Sequence, residues 1–487
     1  MSTIKSEYDV VILGAGHNGL YLVSLFPEKI IRDLGLNLEL RRRAMASFTP
    51  YVNQGHHGGL LLSNLDEDVG RRSMFELTGN DKEFDQMTRF YNLSRVFAAH
   101  VWDTMLQPLV AKEELRRRFD VDDASREAWR SLVEEPLGVS IERYLQSDLV
   151  RGLVFTDAKV GIFTHPHDRS LVQNRCFLYH LIGNKTGEWK VPVGGMGAVA
   201  AELERAARKA GAEILTNVDL RALNVTGKPR SVEFGVNGKR ETVEARFLLV
   251  NFGRNVLAKF TGRLFQPDRT DEGSVFKMNM LLRRLPKLKA KKYPATEAFC
   301  GTFHSDEGYE QMNASYDEAS GGRLPEKTPC EIYCHTLTDD SILAPELREQ
   351  GFHTMTLFGL DAPWSLFVRD NETMRRQAEG KFLASINQWL EEPLEDCLAI
   401  ARDGSRCIES KSPVDIEDAL GMYHGNIFHD APTFPFAETK GQIGKWGVET
   451  EYENVFLCGS SALRGGAVSG IPGHNAAMKV LSAATQS

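Results

Sequence analysis

An α/β fold, with one sheet assembled from both ends of the chain and a second domain threaded between them, follows from three features of this sequence. The first is the apolar run Tyr8-Asp-Val-Val-Ile-Leu leading into Gly14-Ala15-Gly16-His17-Asn18-Gly19. The second is a closing glycine cluster, Cys458-Gly459-Ser460 and then Gly465-Gly466-Ala467-Val468-Ser469-Gly470-Ile471-Pro472-Gly473. The third is Val191-Pro-Val-Gly194-Gly195-Met196-Gly197, a mid-chain turn that opens a helix.

Residues 8–13 read as a central parallel strand. The G-x-G-x-x-G turn after it brings bare backbone N–H groups and a helix N-terminus up to a pyrophosphate. Gly14 permits the tight turn, Gly16 lets phosphate approach, and Gly19 lets the helix pack closely. Ala15 and Asn18 complete the predicted contact loop.

The next stretch has two readings. Residues 17–33 form one helix stopped by Gly35, with Leu36–Leu40 as the second strand and Glu39 as the ribose carboxylate. Alternatively Pro27 starts a new helix, because proline suits a first turn and disrupts a helix interior.

Residues 80–135 are polar and helix-rich. A helix from Ser125 puts Ala128, Leu132 and Val133 on one face, and another starts at Ser140 as a cap. A helix over 198–210 ends at Gly211, followed by a strand over 213–218. Ser231–Val236 and Glu241–Ala245 alternate around Asn237-Gly238, a hairpin signal, and Phe247–Asn251 reads as a further buried strand. Phe276–Leu282 and Thr354–Leu360 belong to an antiparallel sheet in which Met278 and Met280 read as core. Ser412-Pro413 and Gly425–His429 read as loops. A strand over 454–458 leads through the closing glycines into a last helix over 472–484.

The bulk properties narrow the function classes. The chain has 487 residues, 42% apolar and 25% charged, with a net charge of −8. That is globular composition, enough for two or three domains, and no general nucleic-acid binder. The basic runs Arg41–Arg43, Arg116–Arg118 and Lys287–Lys292 read as solvated faces. Seven scattered cysteines without Cys-x-x-Cys suggest a reducing compartment. No signal peptide or membrane span is visible, so the expected compartment is the cytoplasm, with the mitochondrial matrix as the alternative. His56-His57, His165/His167 and His424/His429 fall in separate segments, so no metal site is expected. No catalytic acid, base or nucleophile elbow stands out.

Glycine loops at both ends suit a dinucleotide held by both termini, as in flavin folds. With the matching stretches in place, Tyr8–Leu20, Val191–Gly197, Ser412–Glu417, Gly425–His429, Cys458–Ser460 and Gly465–Gly470, the chain resembles the phytoene desaturase (carotenoid oxidoreductase-like) group of FAD-dependent oxidoreductases. Within it, the chain is most similar to the branch called pyridine nucleotide-disulfide oxidoreductase domain-containing protein 2. The resemblance implies a Rossmann-like FAD-binding domain (1–35, 190–260 and 440–487) interleaved with an α+β substrate domain (36–189 and 261–439, helical insert around 80–150), as in amine oxidases. It implies FAD as cofactor, with Val218 at the adenine and Asn251 near the adenosine. Gly459 and Ser460 would cover the pyrophosphate, and Val468, Ser469 and Gly470 would face the isoalloxazine.

One departure stands out. In the family the glycine turn continues through a full helix and a second strand ending in an acidic residue. Here Leu20 passes directly into Tyr21-Leu-Val-Ser-Leu-Phe-Pro-Glu, which matches a later family stretch. A strand–helix unit of ~30 residues or more is absent. Its loss removes a charged hydrogen bond to the ribose, worth about 1.5–3 kcal/mol, and leaves the sheet edge beside Val10–Leu13 unpaired. Glu39 lies in a later part of the pattern. A weakly held cofactor, a chain that works without it, and a truncated or spliced form all stay open.

The implied activity is dehydrogenation of an apolar or amphipathic small molecule by hydride transfer to flavin. A polyene isomerase, an amine oxidase and a non-catalytic member binding a lipid or protein are the alternatives. The expected partner is an apolar small-molecule substrate, with no nucleic acid; peripheral membrane contact, a homo-oligomer and a protein partner are left open.

Overall fold

The computed structural model describes residues 4–14, 25–267, 272–464 and 469–485. Ala15, Gly16, Asn18, Gly19 and Val468 lie outside the described residues.

Fourteen strands run through the described chain: β1 (Glu7–Leu13), β2 (Leu40–Arg42), β3 (Met45–Asn53), β4 (His56–Ser63), β5 (Lys190–Pro192), β6 (Asp219–Asn224), β7 (Arg230–Val236), β8 (Lys239–Val250), β9 (Phe276–Leu282), β10 (Thr302–Ser305), β11 (Cys330–Tyr333), β12 (His353–Gly359), β13 (Ile408–Lys411) and β14 (Val455–Leu457). They build a five-stranded sheet, a seven-stranded sheet and a two-stranded ribbon. The fold is mixed α/β, a Rossmann-like domain woven with an α+β domain.

The first sheet is ordered β1-β8-β7-β6, with β14 also on β8. β8 pairs parallel with β1, from Glu7↔Glu244 to Leu13↔Val250, and parallel with β14 through Val455↔Leu248. Its first half is the arm of a hairpin with β7, turned by Asn237 (φ 50°) and Gly238 (φ 76°). The two strands expected at 241–245 and 247–251 are therefore one. Its first half alternates between buried and exposed as a hairpin does, and Leu248–Val250 are buried between two parallel neighbours.

Two expectations fail here for one reason. The strand expected over 213–218 does not form; those residues carry no regular structure. They pass near β1, where Tyr8 OH donates to Glu213 Oε2 at 3.0 Å and Lys5 lies 3.3 Å from the same carboxylate. A strand needs a neighbour to take its backbone N–H and C=O groups, and the neighbour expected here is the absent second strand. Leu36–Leu40 does not replace it. A helix, Glu28–Leu34, starts after Pro27 and ends at Gly35 in the left-handed region (φ 58°), as the second reading required. β2 then pairs antiparallel with β5, Leu40↔Pro192, and not with β1. Glu39 is exposed and bridges to Arg41 at 3.3 Å. Among the described residues β1 has a partner on one side only, and Ile12 is 61% exposed.

The second sheet is ordered β13-β9-β12-β11-β10-β3-β4, antiparallel except where β10 meets β3. Met278 and Met280 alternate with half-buried neighbours and are buried in its core, as expected. A layer of helices, the longest Lys82–Val101, buries a separate aromatic-rich core with Phe90, Phe97, Trp129 and Phe177. The helix expected to start at Ser140 starts earlier, at Leu137 after Pro136. Ser140 lies inside it and donates to Glu135 Oε1 at 2.8 Å. Ser412, expected in a loop, caps the helix Pro413–Leu420 through a reciprocal box with Asp415. All seven cysteines are thiols. No described helix is long and apolar enough to cross a membrane.

Candidate functional site

Two places carry chemistry. The first is a junction at the carboxyl ends of β1, β8 and β14, the edge where α/β sheets receive ligands. Gly14 follows β1 with φ 83°, and a side chain there would lie 3.7 Å from Asn251 Cβ. Asn251 follows β8, its N–H donating to Leu13 O at 2.9 Å, while Cys458 N–H donates to Val250 O at 2.9 Å. Gly459 follows β14 so closely that a Cβ would sit 2.0 Å from Asn251 Oδ1. The structure thus brings Gly14, Asn251 and Gly459 together, from residues hundreds of positions apart.

The remaining predicted site residues lie around or beyond this junction. Ser460 is half-buried beside Gly459. Ser469 is buried, its Oγ accepting from Ile471 N–H at 3.3 Å. Gly470 (φ 67°) caps the closing helix Ile471–Ala484, with Pro472 in its first turn. Val218 is 39% exposed where β6 opens. By register β6 starts level with Arg240, at the far end of β8 from Asn251.

The bare-backbone junction fits a dinucleotide pyrophosphate, and Gly470 at a helix N-terminus fits a polar flavin edge. The ribose end does not fit as well. Among the described residues no strand lies beyond β1, and Glu39 is engaged elsewhere.

The second place is a cavity of about 750 Å³ between the second sheet and the helical layer. β10 and β11 place His304 directly opposite Glu331 and Thr302 opposite Tyr333. His304 Nδ1 lies 2.5 Å from Glu307 Oε2. Glu331 accepts from Thr156 Oγ1 at 2.8 Å and from Tyr333 OH. All three of His304, Glu307 and Glu331 are buried. Burial, with Glu307 beside it, raises Glu331; burial raises Glu307 well above the carboxylate range and holds His304 near 4. Asp157, on the cavity wall, is also pushed up by burial and by the two glutamates. Burial thus favours the uncharged form of each of these groups.

His304, Glu307 and Glu331 offer ligand atoms within 4.8 Å of one another, a spacing a metal ion can use. The hydroxyls of Thr156 and Tyr333 and the imidazole already engage three of the four carboxylate oxygens, leaving Glu307 Oε1 without a partner. The trio is a hydrogen-bonded acid cluster with one carboxylate oxygen, Glu307 Oε1, left over.

Sequence reasoning passed over this cavity. His304-x-x-Glu307 and a glutamate inside the apolar run Cys330–Tyr333 were the available signals. Arg43, read as part of a solvated basic run, is 6% exposed at the cavity wall.

No family model matches the chain. An uncharacterized protein of Mycobacterium tuberculosis is 39% identical over 531 positions, covering 99% of this chain and 98% of the relative. A Mycobacterium bovis protein matches equally. Since 531 positions exceed the 487 residues present, at least 44 (531 less 487) face gaps in this chain. Pyridine nucleotide-disulfide oxidoreductase domain-containing protein 2 of Rattus norvegicus is 25% identical over 97% of this chain and 93% of that one. Among solved structures, a triple mutant of putrescine oxidase superposes with a TM-score of 0.52 at 14% identity over 99% of both chains. Cyclohexylamine oxidase from Brevibacterium oxydans gives 0.50 at 12% identity over 98% of this chain and 99% of that one. At such identity these structures speak for the fold alone.

Proposed function

We propose that this chain, which shares a family with the uncharacterized mycobacterial proteins and is similar to pyridine nucleotide-disulfide oxidoreductase domain-containing protein 2, is a phytoene desaturase-like FAD-dependent oxidoreductase that dehydrogenates an amphipathic small molecule held in the cavity over β10 and β11. The observation that carries the reading is the convergence of Gly14, Asn251 and Gly459 at the carboxyl ends of three parallel strands. Together with Ser460, Ser469 and Gly470 they would hold FAD; bound flavin supplies the hydride acceptor. Val218 at the adenine remains part of this proposal.

The chain's own residues do the rest. The cavity wall run from Leu181 to Trp189 is tied to the segment beneath Gly470. Asn184 Oδ1 accepts from Glu28 N–H at 3.2 Å, its Nδ2 donates to Phe26 O at 2.9 Å, and a Cβ on Gly470 would lie 3.2 Å from Phe26. Trp189 and Tyr333 stack at 6.5 Å and give the cavity a flat apolar face. Glu331 and His304, hydrogen-bonded at the cavity wall, are the groups placed to hold or accept a proton leaving the substrate.

A second reading, a member that binds ligand without turnover, draws on the open edge of β1 and the missing ribose carboxylate. Both readings meet one experiment. The purified protein is titrated with FAD and followed by visible absorbance and melting temperature. The oxidoreductase reading expects saturable binding, weaker by on the order of ten- to a hundred-fold than in a relative with the full strand–helix unit, matching one lost charged hydrogen bond. A colourless protein whose melting is indifferent to FAD gives the non-catalytic reading the field.

A further inference from the structure

Arg43 sits just past β2 with its side chain turned into the protein and 6% exposed. Its Nη1 donates to Thr302 Oγ1 at 3.2 Å, and its guanidinium lies 5.9 Å from the Trp189 ring. Its Nε has no hydrogen-bond partner, and it makes no ion pair among the described residues. The other charges on the same wall are different. Glu188 pairs with Arg42, and Glu67 pairs with Arg71 at 3.3 Å. Exposed Arg95 also lines the cavity.

A guanidinium stays charged in a protein, and a buried charge is expensive unless an opposite charge meets it. The two carboxyl groups that act on Arg43, Glu331 and Asp157, are held toward their neutral forms by burial. The cavity therefore presents a fixed positive fork whose natural complement is a planar anion accepting two parallel N–H bonds.

We infer that the ligand of this cavity carries a carboxylate, seated on Arg43 with Thr302 beside it and its apolar body against Trp189 and Tyr333. This rests on the proposed substrate role of the cavity and narrows it, from any amphipathic molecule to an acid with an apolar tail or ring.

The test uses the full-length protein as purified, before flavin is added, so that its outcome is independent of cofactor binding. Decanoate and phenylacetate are each titrated calorimetrically beside the alcohol and the amine of the same carbon skeleton. At least one acid is expected to bind ten-fold or more tightly than its alcohol and amine. Arg43→Gln should erase that preference, and Arg43→Lys should keep part of it. Thr302→Val, which removes the hydroxyl beside the guanidinium, should weaken acid binding alone. Equal binding within each skeleton, tighter binding of the amines, no acid bound, or a preference that survives Arg43→Gln in a folded variant would each overturn the inference. The wild-type series alone decides the point if a variant fails to fold. A carboxylate preference in a protein that ignores FAD would keep this inference and end the oxidoreductase reading; FAD binding without the preference would do the reverse.

Discussion

The two large sheets of this molecule differ in which strands they leave at an edge: β13 and β4 in the second, β1 and β6 in the first. In the second sheet β9, β12, β11, β10 and β3 each have neighbours on both sides, and helices cover the remaining apolar surface. In the first, β8 is enclosed by β1, β7 and β14, whereas among the described residues β1 pairs with β8 alone. The first sheet collects its strands from both ends and the middle of the chain, so a strand–helix unit expected beside β1 has no substitute among the described residues. Residues 213–218, expected to pair there, are irregular chain, with Glu213 meeting Tyr8 of β1 by a side-chain hydrogen bond. The second sheet is built downstream of the lost unit and keeps its register and its buried polar cluster. The expected loss of a strand–helix unit thus falls in the domain whose contacts are longest in sequence, not in the one with closer contacts.

The largest expected effect lies in the intact half. Lys159 and Asp361 are wholly buried and meet at 2.9 Å, Lys159 also donating to Thr164 O at 2.8 Å. Burial raises Asp361 to about 6 despite the ammonium beside it. At pH 7.5, Lys159→Met should destabilise by about 3–5 kcal/mol in urea unfolding, because it strands a buried carboxylate. The double variant with Asp361→Leu should recover most of that. A single-variant effect under about 1 kcal/mol would mean this region is looser than its packing implies.

In the damaged half the junction itself remains tight. Gly459→Ala puts a methyl group 2.0 Å from Asn251 Oδ1 and 2.8 Å from its carbonyl oxygen. Overpacking of that kind should cost about 1–3 kcal/mol by melting temperature, with FAD affinity falling in parallel. A neutral outcome would mean that the ends of β8 and β14 already part easily.

The smallest effect belongs to the open edge. Ile12→Lys should change stability by no more than about 0.5 kcal/mol, since Ile12 is mostly in solvent. It should nonetheless reduce concentration-dependent association in light scattering, because an inserted lysine blocks edge-to-edge pairing. A loss above about 1 kcal/mol would mean that something covers β1.

Periodicity and turn chemistry carried most of the local structure. Asn237-Gly238 marked its hairpin, Pro27 and Gly35 bounded their helix, and the alternation around Met278 and Met280 placed a strand correctly. Those signals are local, set by backbone sterics and by which face is apolar. The strand at 213–218 was misread because its β-forming composition is also local, while pairing is not. Arg43 was misread for the same reason, since nothing in Arg41-Arg42-Arg43 says which of three arginines turns inward.

By itself the sequence determined the class of fold, the turn residues and the expectation of a missing strand–helix unit after Leu20, since these rest on residue type and order along the chain. Tertiary structure alone decided that Gly14, Asn251 and Gly459 meet, that β1 is left as an edge, and that His304, Glu331 and Arg43 share one cavity. Those facts depend on which distant segments pack together, and burial there, not residue type, sets whether a carboxyl is charged or a guanidinium is left seeking an anion.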